Sequence, residues 1–227
     1  MRPRLVLVTD AAFSDEAIVR CVRSVASALP AGALCVQVRD KRRLFPSLRL
    51  FALQLRRATH DGGALLVING HPELARDVGA DGVHLGEDAR RAMSVEEVRT
   101  RFGRRGWVSV AAHSDDDVRR AVDEGVDAVL VSPIFPTRAL SPLSPLSPLA
   151  LAAVSKRTRG LDALRSARML ADSRVAVFAL GGVTPDSARA CAAAGADGLA
   201  VIRALLASRA PSSDARAMFD ALVRDGR

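Results

Sequence analysis

Eight short apolar runs, each ending in polar or glycine-containing sequence and each followed by a stretch with helical spacing, constrain the fold of this chain more than any other feature. The runs are Leu5-Val-Leu-Val8, Leu34-Cys-Val-Gln-Val-Arg39, Leu65-Leu-Val-Ile-Asn69, Gly82-Val-His-Leu85, Trp107 to Ala111, Ala128-Val-Leu-Val-Ser132, Val175 to Leu180 and Gly198 to Val201. Their apolar residues are continuous or alternate with polar ones, the pattern of strands in a parallel sheet. Between them, Asp15 to Leu29, Leu44 to His60, Pro72 to Val78, Val95 to Arg101, Asp115 to Glu124, Leu161 to Leu170, Pro185 to Ala194 and Ser212 to Val223 read as helices. Ser14 is placed to cap the first of these, and Leu48, Phe51, Leu55 and Ala58 form an apolar stripe along the second. Eight β/α units in 227 residues predict an α/β fold of the (β/α)8, or TIM-barrel, type rather than a doubly wound open sheet. No GxGxxG follows the first strand, which weighs against a dinucleotide fold.

One domain over residues 1–227 is expected, interrupted at about 138–159. There Ser-Pro-Leu occurs three times in succession, from Ser141 to Leu149. Proline at every third position suits an extended, polyproline-II-like loop, which either lines the barrel mouth or is an insertion without a role.

Composition narrows the partners. No apolar run approaches the roughly 20 residues of a membrane span, and Leu5 opens a strand with no signal-peptide core before it, so a soluble cytoplasmic protein with no membrane partner is expected. The net charge of +8 raises nucleic acid as a partner, but the basic residues are almost all arginines, scattered as pairs along helix faces, and there is no tyrosine to stack on bases. Solvated helix faces account for them, and no nucleic-acid partner is expected. Cys21, Cys35 and Cys191 are odd in number and outside any CxxC spacing, which points to buried free thiols rather than a disulfide or zinc site.

In a barrel the functional side chains gather where strands end. Thr9, Asp10, Gln37 to Lys41, Asn69, His84, His113, Ser132 and Gly181-Gly182 all fall there. Arg39 and Lys41 at one strand end form a polyanion clamp, the alternative being ordinary surface charge. Gly181 and Gly182, with a helix beginning near Thr184-Pro185, read as a phosphate-binding corner or as an ordinary tight turn. His113 suits a general acid/base, or a helix-capping or core histidine; His84 lies inside an apolar run and reads as structural. Asn69 is equally a turn former.

Seven motifs, in order and spanning nearly the whole chain, resemble the thiamin phosphate synthase/aminothiazole tautomerase family. They are Val36-Gln-Val-Arg-Asp-Lys41, Leu66-Val-Ile-Asn69, Ala80-Asp-Gly-Val-His-Leu-Gly86, His113-Ser114, Val131-Ser-Pro-Ile-Phe-Pro-Thr137, Ala179-Leu-Gly-Gly-Val183 and Gly195-Ala-Asp-Gly-Leu-Ala-Val-Ile202. The resemblance implies a (β/α)8 barrel that joins a pyrimidine pyrophosphate to a thiazole phosphate with release of pyrophosphate. Leaving-group charge of that kind calls for cations and a metal, here Mg2+. It further implies that Gln37, Arg39, Lys41, Asn69 and Thr137 contact substrate, with Arg39 and Lys41 acting on the leaving group. Gly181, Gly182, Val201, Ile202 and Arg203 would hold the thiazole phosphate. A homodimer follows by the same analogy.

The chain departs from the family pattern at several of these places. Gly70 stands where a metal-binding Asp follows the Asn. Asp88 reaches the second metal position only if one residue is deleted, and otherwise Ala89 faces it. Ala111 replaces a Ser, Arg138 is the cation nearest to a missing Lys, and Arg203 replaces a Ser after Val-Ile. The tautomerase branch needs neither metal nor pyrophosphate clamp and uses a His at the position of His113. The synthase reading is preferred, with a tautomerase, or a catalytically degenerate barrel that only binds thiazole phosphate, as alternatives.

Overall fold

The expected strands close into one parallel barrel in sequence order, β1 (Leu5–Val8), β2 (Leu34–Val38), β3 (Leu65–Asn69), β4 (Gly82–Leu85), β5 (Trp107–Ala112), β6 (Ala128–Val131), β7 (Ala176–Leu180) and β8 (Gly198–Val201), with β8 pairing back onto β1. This computed structural model describes residues 3–137 and 158–224, so the Ser-Pro-Leu run and Arg138 lie outside the described residues. Among the described residues the helices are α1 (Asp15–Ala28), α2 (Phe45–Asp61), α3 (Pro72–Asp77), α4 (Glu87–Ala92), α5 (Val95–Phe102), α6 (Asp115–Asp123), α7 (Gly160–Leu170), α8 (Ala188–Ala193), α9 (Arg203–Leu206) and α10 (Pro211–Arg224). None of them is long and apolar enough to cross a membrane.

Strand periodicity divides the interior in two. Alternate residues point inward, and Val6, Val8, Cys35, Val67, Leu130, Phe178 and Ala200 fill the barrel lumen. Their neighbours Leu5, Leu7, Val36, Ile68, Val83, Val110, Val129, Val177 and Leu199 face the helices and form the outer core. Gly198 is required by this packing, since a Cβ there would overlap the Phe178 ring. The three cysteines are buried and free, as expected.

A device repeated three times fastens the end of the barrel opposite the mouth. Gly79-Ala-Asp81, Gly125-Val-Asp127 and Gly195-Ala-Asp197 each precede an even-numbered strand, and each glycine has a left-handed φ, of 63°, 66° and 97°. The aspartate carboxylate accepts from the backbone N–H of Leu66, Val108 and Val177 respectively, each at 2.8 Å. Its own N–H donates to the carbonyl of that same residue, again at 2.8 Å. Each carboxylate also meets an arginine, Arg56 at 2.7 Å, Arg99 at 3.4 Å or Arg168 at 2.6 Å. The Gly-Ala-Asp portion of the motif from Gly195 to Ile202 is therefore barrel closure, and only its last residue reaches the mouth.

Two further differences from the sequence reading concern helix ends. Helices α4 and α9 were not expected; both are short and start directly after a strand. The helix anticipated from Pro185 begins at Ala188. Thr184 to Ser187 form a turn instead, in which Ser187 Oγ accepts from the Thr184 N–H at 2.9 Å and so competes with the helical pattern. The start of α8 does not sit on the glycine pair. At α1 the cap is as read, with Ser14 accepting from Ala17; at α6 Ser114 forms a capping box with Asp117.

Candidate active site

The C-terminal ends of the strands surround a cavity of about 850 Å3. Of the sequence-derived candidates, Gln37, Arg39, Lys41, Asn69, Asp88, His113, Thr137, Gly181, Ile202 and Arg203 line it, together with Asp10, His84 and Ser132. Gly182 and Val201 do not. Val201 is one residue out of phase with the inward column, so its side chain packs in the outer core while Ile202 faces inward.

On the β1–β2 arc, the buried Thr9 hydroxyl bonds both the N–H and the carbonyl of Arg39, at 2.8 and 3.0 Å, and so fixes the chain where the clamp begins. Arg39 is half-buried, and its guanidinium finds no acceptor among the described residues. Lys41 Nζ is 2.6 Å from Asp88 Oδ2, an exposed ion pair linking the β2 and β4 loops. Asp40 turns away, accepting from the backbone of Arg42 and Arg43 and from the Arg43 side chain.

The floor carries His84, fully buried, with Nδ1 2.9 Å from Ser109 Oγ. Burial, and then the charge of Arg39, lower its pKa to about 3. This ring is neutral at physiological pH, in line with its structural reading.

His113 follows β5 with one ring nitrogen committed. Its Nδ1 lies 2.9 Å from the Ser132 carbonyl, which only accepts, so Nδ1 carries a hydrogen and Nε2 is the nitrogen left toward the cavity. Nε2 lies 3.8 Å from Glu87 Oε2, and Glu87 also lines the cavity. Ser114, not His113, caps α6. Glu87 was missed in the sequence; its only signal there is a carboxylate immediately after the His-Leu-Gly motif. Arg90, nearly buried, is a second omission: it reaches the Ala111 carbonyl and Glu124, tying α4 to the end of β5 and to α6.

The glycine pair is explained by a neighbouring loop. Gly181 and Gly182 have φ of 96° and 65°, and a Cβ on them would come within 2.9 Å of Pro133 Cα and 2.7 Å of Phe135 Cβ. The loop is laced to them, with Ile134 N–H donating to Leu180 O at 3.0 Å and Phe135 N–H to Gly181 O at 2.9 Å. Neither glycine N–H is used by an acceptor among the described residues.

A metal of the kind implied by the resemblance does not fit the donors present. Magnesium takes six oxygens at about 2.1 Å, some from carboxylates. Gly70 has a left-handed φ of 75°, and a Cβ there would lie 3.4 Å from that of Ala89. Ala89, rather than Asp88, therefore faces Gly70, and this pair supplies no side-chain oxygen. Among the described residues no three His, Cys, Asp or Glu side chains are grouped to hold a metal ion.

The family model described as thiamine monophosphate synthase matches residues 5–205. The chain belongs to that family. Within it, the chain is 34% identical over 213 residues to a thiamine-phosphate synthase of Chloroflexus aurantiacus, covering 94% of this chain and 89% of that one. It is 27% identical over 217 residues to the thiamine-phosphate synthase of Lactococcus lactis, covering 94% and 92%. The barrel also superposes on the thiamine phosphate pyrophosphorylase of Pyrococcus furiosus with a TM-score of 0.79 at 24% identity, covering 99% and 97% of the two chains, a likeness of fold.

Proposed function

We propose that this family member is a thiamin phosphate synthase-type transferase, joining a hydroxymethylpyrimidine diphosphate to a thiazole phosphate with release of pyrophosphate. The observation that supports the reading is that Arg39, Lys41, Gly181, Ile202 and Arg203 all line one cavity, in two arcs suited to anions. Arg39 and Lys41 after β2 would hold the diphosphate, the arginine as a planar fork and the lysine as a point charge. Separated from them by β1, the Gly181 amide, Ile202 and Arg203 after β7 and β8 would hold the thiazole phosphate, where barrels of this type commonly bind phosphate. Gln37 and Asn69 lie on the same rim to meet ring nitrogens and amino groups, and Thr137 closes it.

In this arrangement the bond between the pyrimidine methylene and the diphosphate oxygen breaks as the bond to the thiazole forms. The leaving group carries the electron pair away, and Arg39 and Lys41 stabilise the charge that develops on it. Magnesium finds no matching donor set, and no step is assigned to it. Incubating the purified protein with both substrates, with and without Mg2+, tests the reading by the thiamin phosphate formed. Product at the level of an enzyme-free control refutes it. Arg39→Ala is expected to lower kcat/KM by about a hundredfold or more, the usual scale for losing a transition-state donor.

A second reading, a thiazole tautomerase, is favoured by one observation: the fixed Nδ1 of His113 leaves Nε2 as a base facing the cavity. It predicts metal-independent isomerisation of a thiazole carboxylate phosphate that His113→Ala abolishes; an unchanged rate in that variant rejects it. A soluble protein acting on small phosphate esters, without nucleic acid or membrane and as a homodimer, completes the proposal. Sedimentation at micromolar concentration tests the dimer.

A further inference from the structure

We infer that the β2–β4 arc of this mouth binds its anionic ligand without a divalent cation, Arg39 and Lys41 supplying the positive charge and the Gly70–Ala89 contact standing where metal-binding side chains would have to stand. This rests on the proposed reading that a diphosphate enters at that arc.

Three features of the site support it. The first is backbone commitment. Gly70 sits at φ 75° with its N–H bonded to the His84 carbonyl at 2.9 Å, a conformation that side-chain-bearing residues adopt only with strain, and a Cβ there would be in ordinary contact with that of Ala89 at 3.4 Å. A carboxylate at position 70 would have to adopt this left-handed backbone.

Second, the carboxylates that remain nearby are engaged with cations. Glu87 divides its oxygens between Arg91 at 2.6 Å and His113 at 3.8 Å, and Asp88 meets Lys41 at 2.6 Å. Drawing either onto a metal would separate it from its cation. The Lys41–Asp88 pair is exposed on both sides, so it is weakly held, and a diphosphate can compete with Asp88 for Lys41.

Third, the change is neutral in charge. Two carboxylates and one divalent ion sum to zero, as do a glycine and an alanine. The diphosphate therefore meets the same net charge at this arc, now with its oxygens directly on Arg39, whose guanidinium is half-buried and unused by the described residues. A partly desolvated guanidinium is the better of the two cations for this, because its fork matches two oxygens at once.

Calorimetric titration with sodium pyrophosphate, requiring no turnover, tests the inference. Binding is expected in buffer containing EDTA, with excess Mg2+ leaving it unchanged or weakening it, because complexation removes free pyrophosphate. Arg39→Ala and Lys41→Ala are each expected to weaken binding in EDTA tenfold or more. Ala89→Asp, checked for folding by circular dichroism, should reverse the metal response: pyrophosphate binds at least tenfold more weakly in EDTA and recovers with Mg2+. Wild-type binding that requires Mg2+, absence of binding in both buffers, or an Ala89→Asp variant indifferent to Mg2+ would each overturn the inference. Metal-requiring binding leaves the synthase-type reading standing, whereas metal-free binding without product in the coupling assay removes that reading and leaves the inference intact.

Discussion

Replacing Asp197 by Ala tests how this barrel is held closed. The carboxylate takes the Val177 N–H at 2.8 Å and Arg168 at 2.6 Å, while the Asp197 N–H bonds the Val177 carbonyl, so one residue registers the start of β8 against β7. Losing the charged acceptor strands a partly buried N–H, which costs about 1.5–3 kcal/mol. The arginine pair, about one-third exposed on each side, adds no more than about 0.5–1 kcal/mol. The expected loss is therefore about 2–4 kcal/mol, a large share of a typical 5–15 kcal/mol, and a fall in Tm of about 5–15 °C for a chain of this size. Urea unfolding should show a lower midpoint with unchanged slope. Asp197→Asn, which keeps an acceptor without charge, should lose roughly half as much. Asp162→Ala, whose carboxylate is 92% exposed in its pair with Arg165, should stay within about 0.5 kcal/mol of the parent. An Asp197→Ala protein no less stable than Asp162→Ala would refute the reasoning, and with it the role given to Asp81 and Asp127.

Three other outcomes are expected. His84 is held neutral, with its pKa lowered to about 3, so the unfolded chain binds a proton that the folded one refuses. The His84 contribution is intact above about pH 6.5 and declines by up to roughly 1.4 kcal/mol per pH unit from there toward pH 3; denaturation between pH 7 and 5 should show a flatter dependence in His84→Gln than in the parent. Gly182→Ala puts a Cβ 2.7 Å from Phe135 Cβ at a φ of 65°, so about 1–3 kcal/mol of stability is expected to go together with kcat/KM as the Pro133–Pro136 loop is pushed away; an active, equally stable variant would contradict that account. All three cysteines are buried, and burial pushes the Cys21 and Cys191 thiols up to about 11 and raises that of Cys35 further, so a thiol reagent at pH 8 should label none of them within minutes in the native protein and all three in urea.

The fold was legible because a short apolar run bounded by polar or glycine-containing sequence is a local signal. Leu5-Val-Leu-Val8 or Ala176-Val-Phe-Ala-Leu180 announces a strand without reference to anything else in the chain, and eight such announcements separated by helices leave few architectures. The rim was partly legible for a related reason: Gln37, Arg39, Asn69 and His113 stand at strand ends, and in a closed barrel all strand ends meet. Contacts that depend on what a neighbouring unit supplies were not legible. Nothing in Gly181-Gly182 shows that Pro133 and Phe135 press on them, a contact that by itself calls for glycine at both positions. The three Gly-x-Asp sequences are visible as text, but the partner of each aspartate is a backbone N–H on the preceding strand, which only register reveals. Glu87 becomes a site residue solely because α4 begins directly after β4 and faces the residue that follows β5.

The rim therefore divides into arcs that have diverged unequally. From β7 through β1 to β2 it carries bare glycine backbone, Arg203, Arg39 and Lys41, groups whose chemistry suits a phosphate or diphosphate whatever reaction follows. From β3 to β5 it has no side-chain oxygen at Gly70, Ala89 and Ala111 and carries Glu87 3.8 Å from Nε2 of His113. A metal-bound diphosphate and a proton-transferring pair place opposite demands on this second arc: the first wants carboxylates converging on one point with no competing cation, the second wants one carboxylate and one imidazole sharing a proton. Gly70 and Ala89 do not supply the first, and Glu87 and His113, 3.8 Å apart, are the carboxylate and imidazole that the second would call on. Pyrophosphate affinity in EDTA and its response to Ala89→Asp therefore bear directly on how this member of the family handles charge at its mouth.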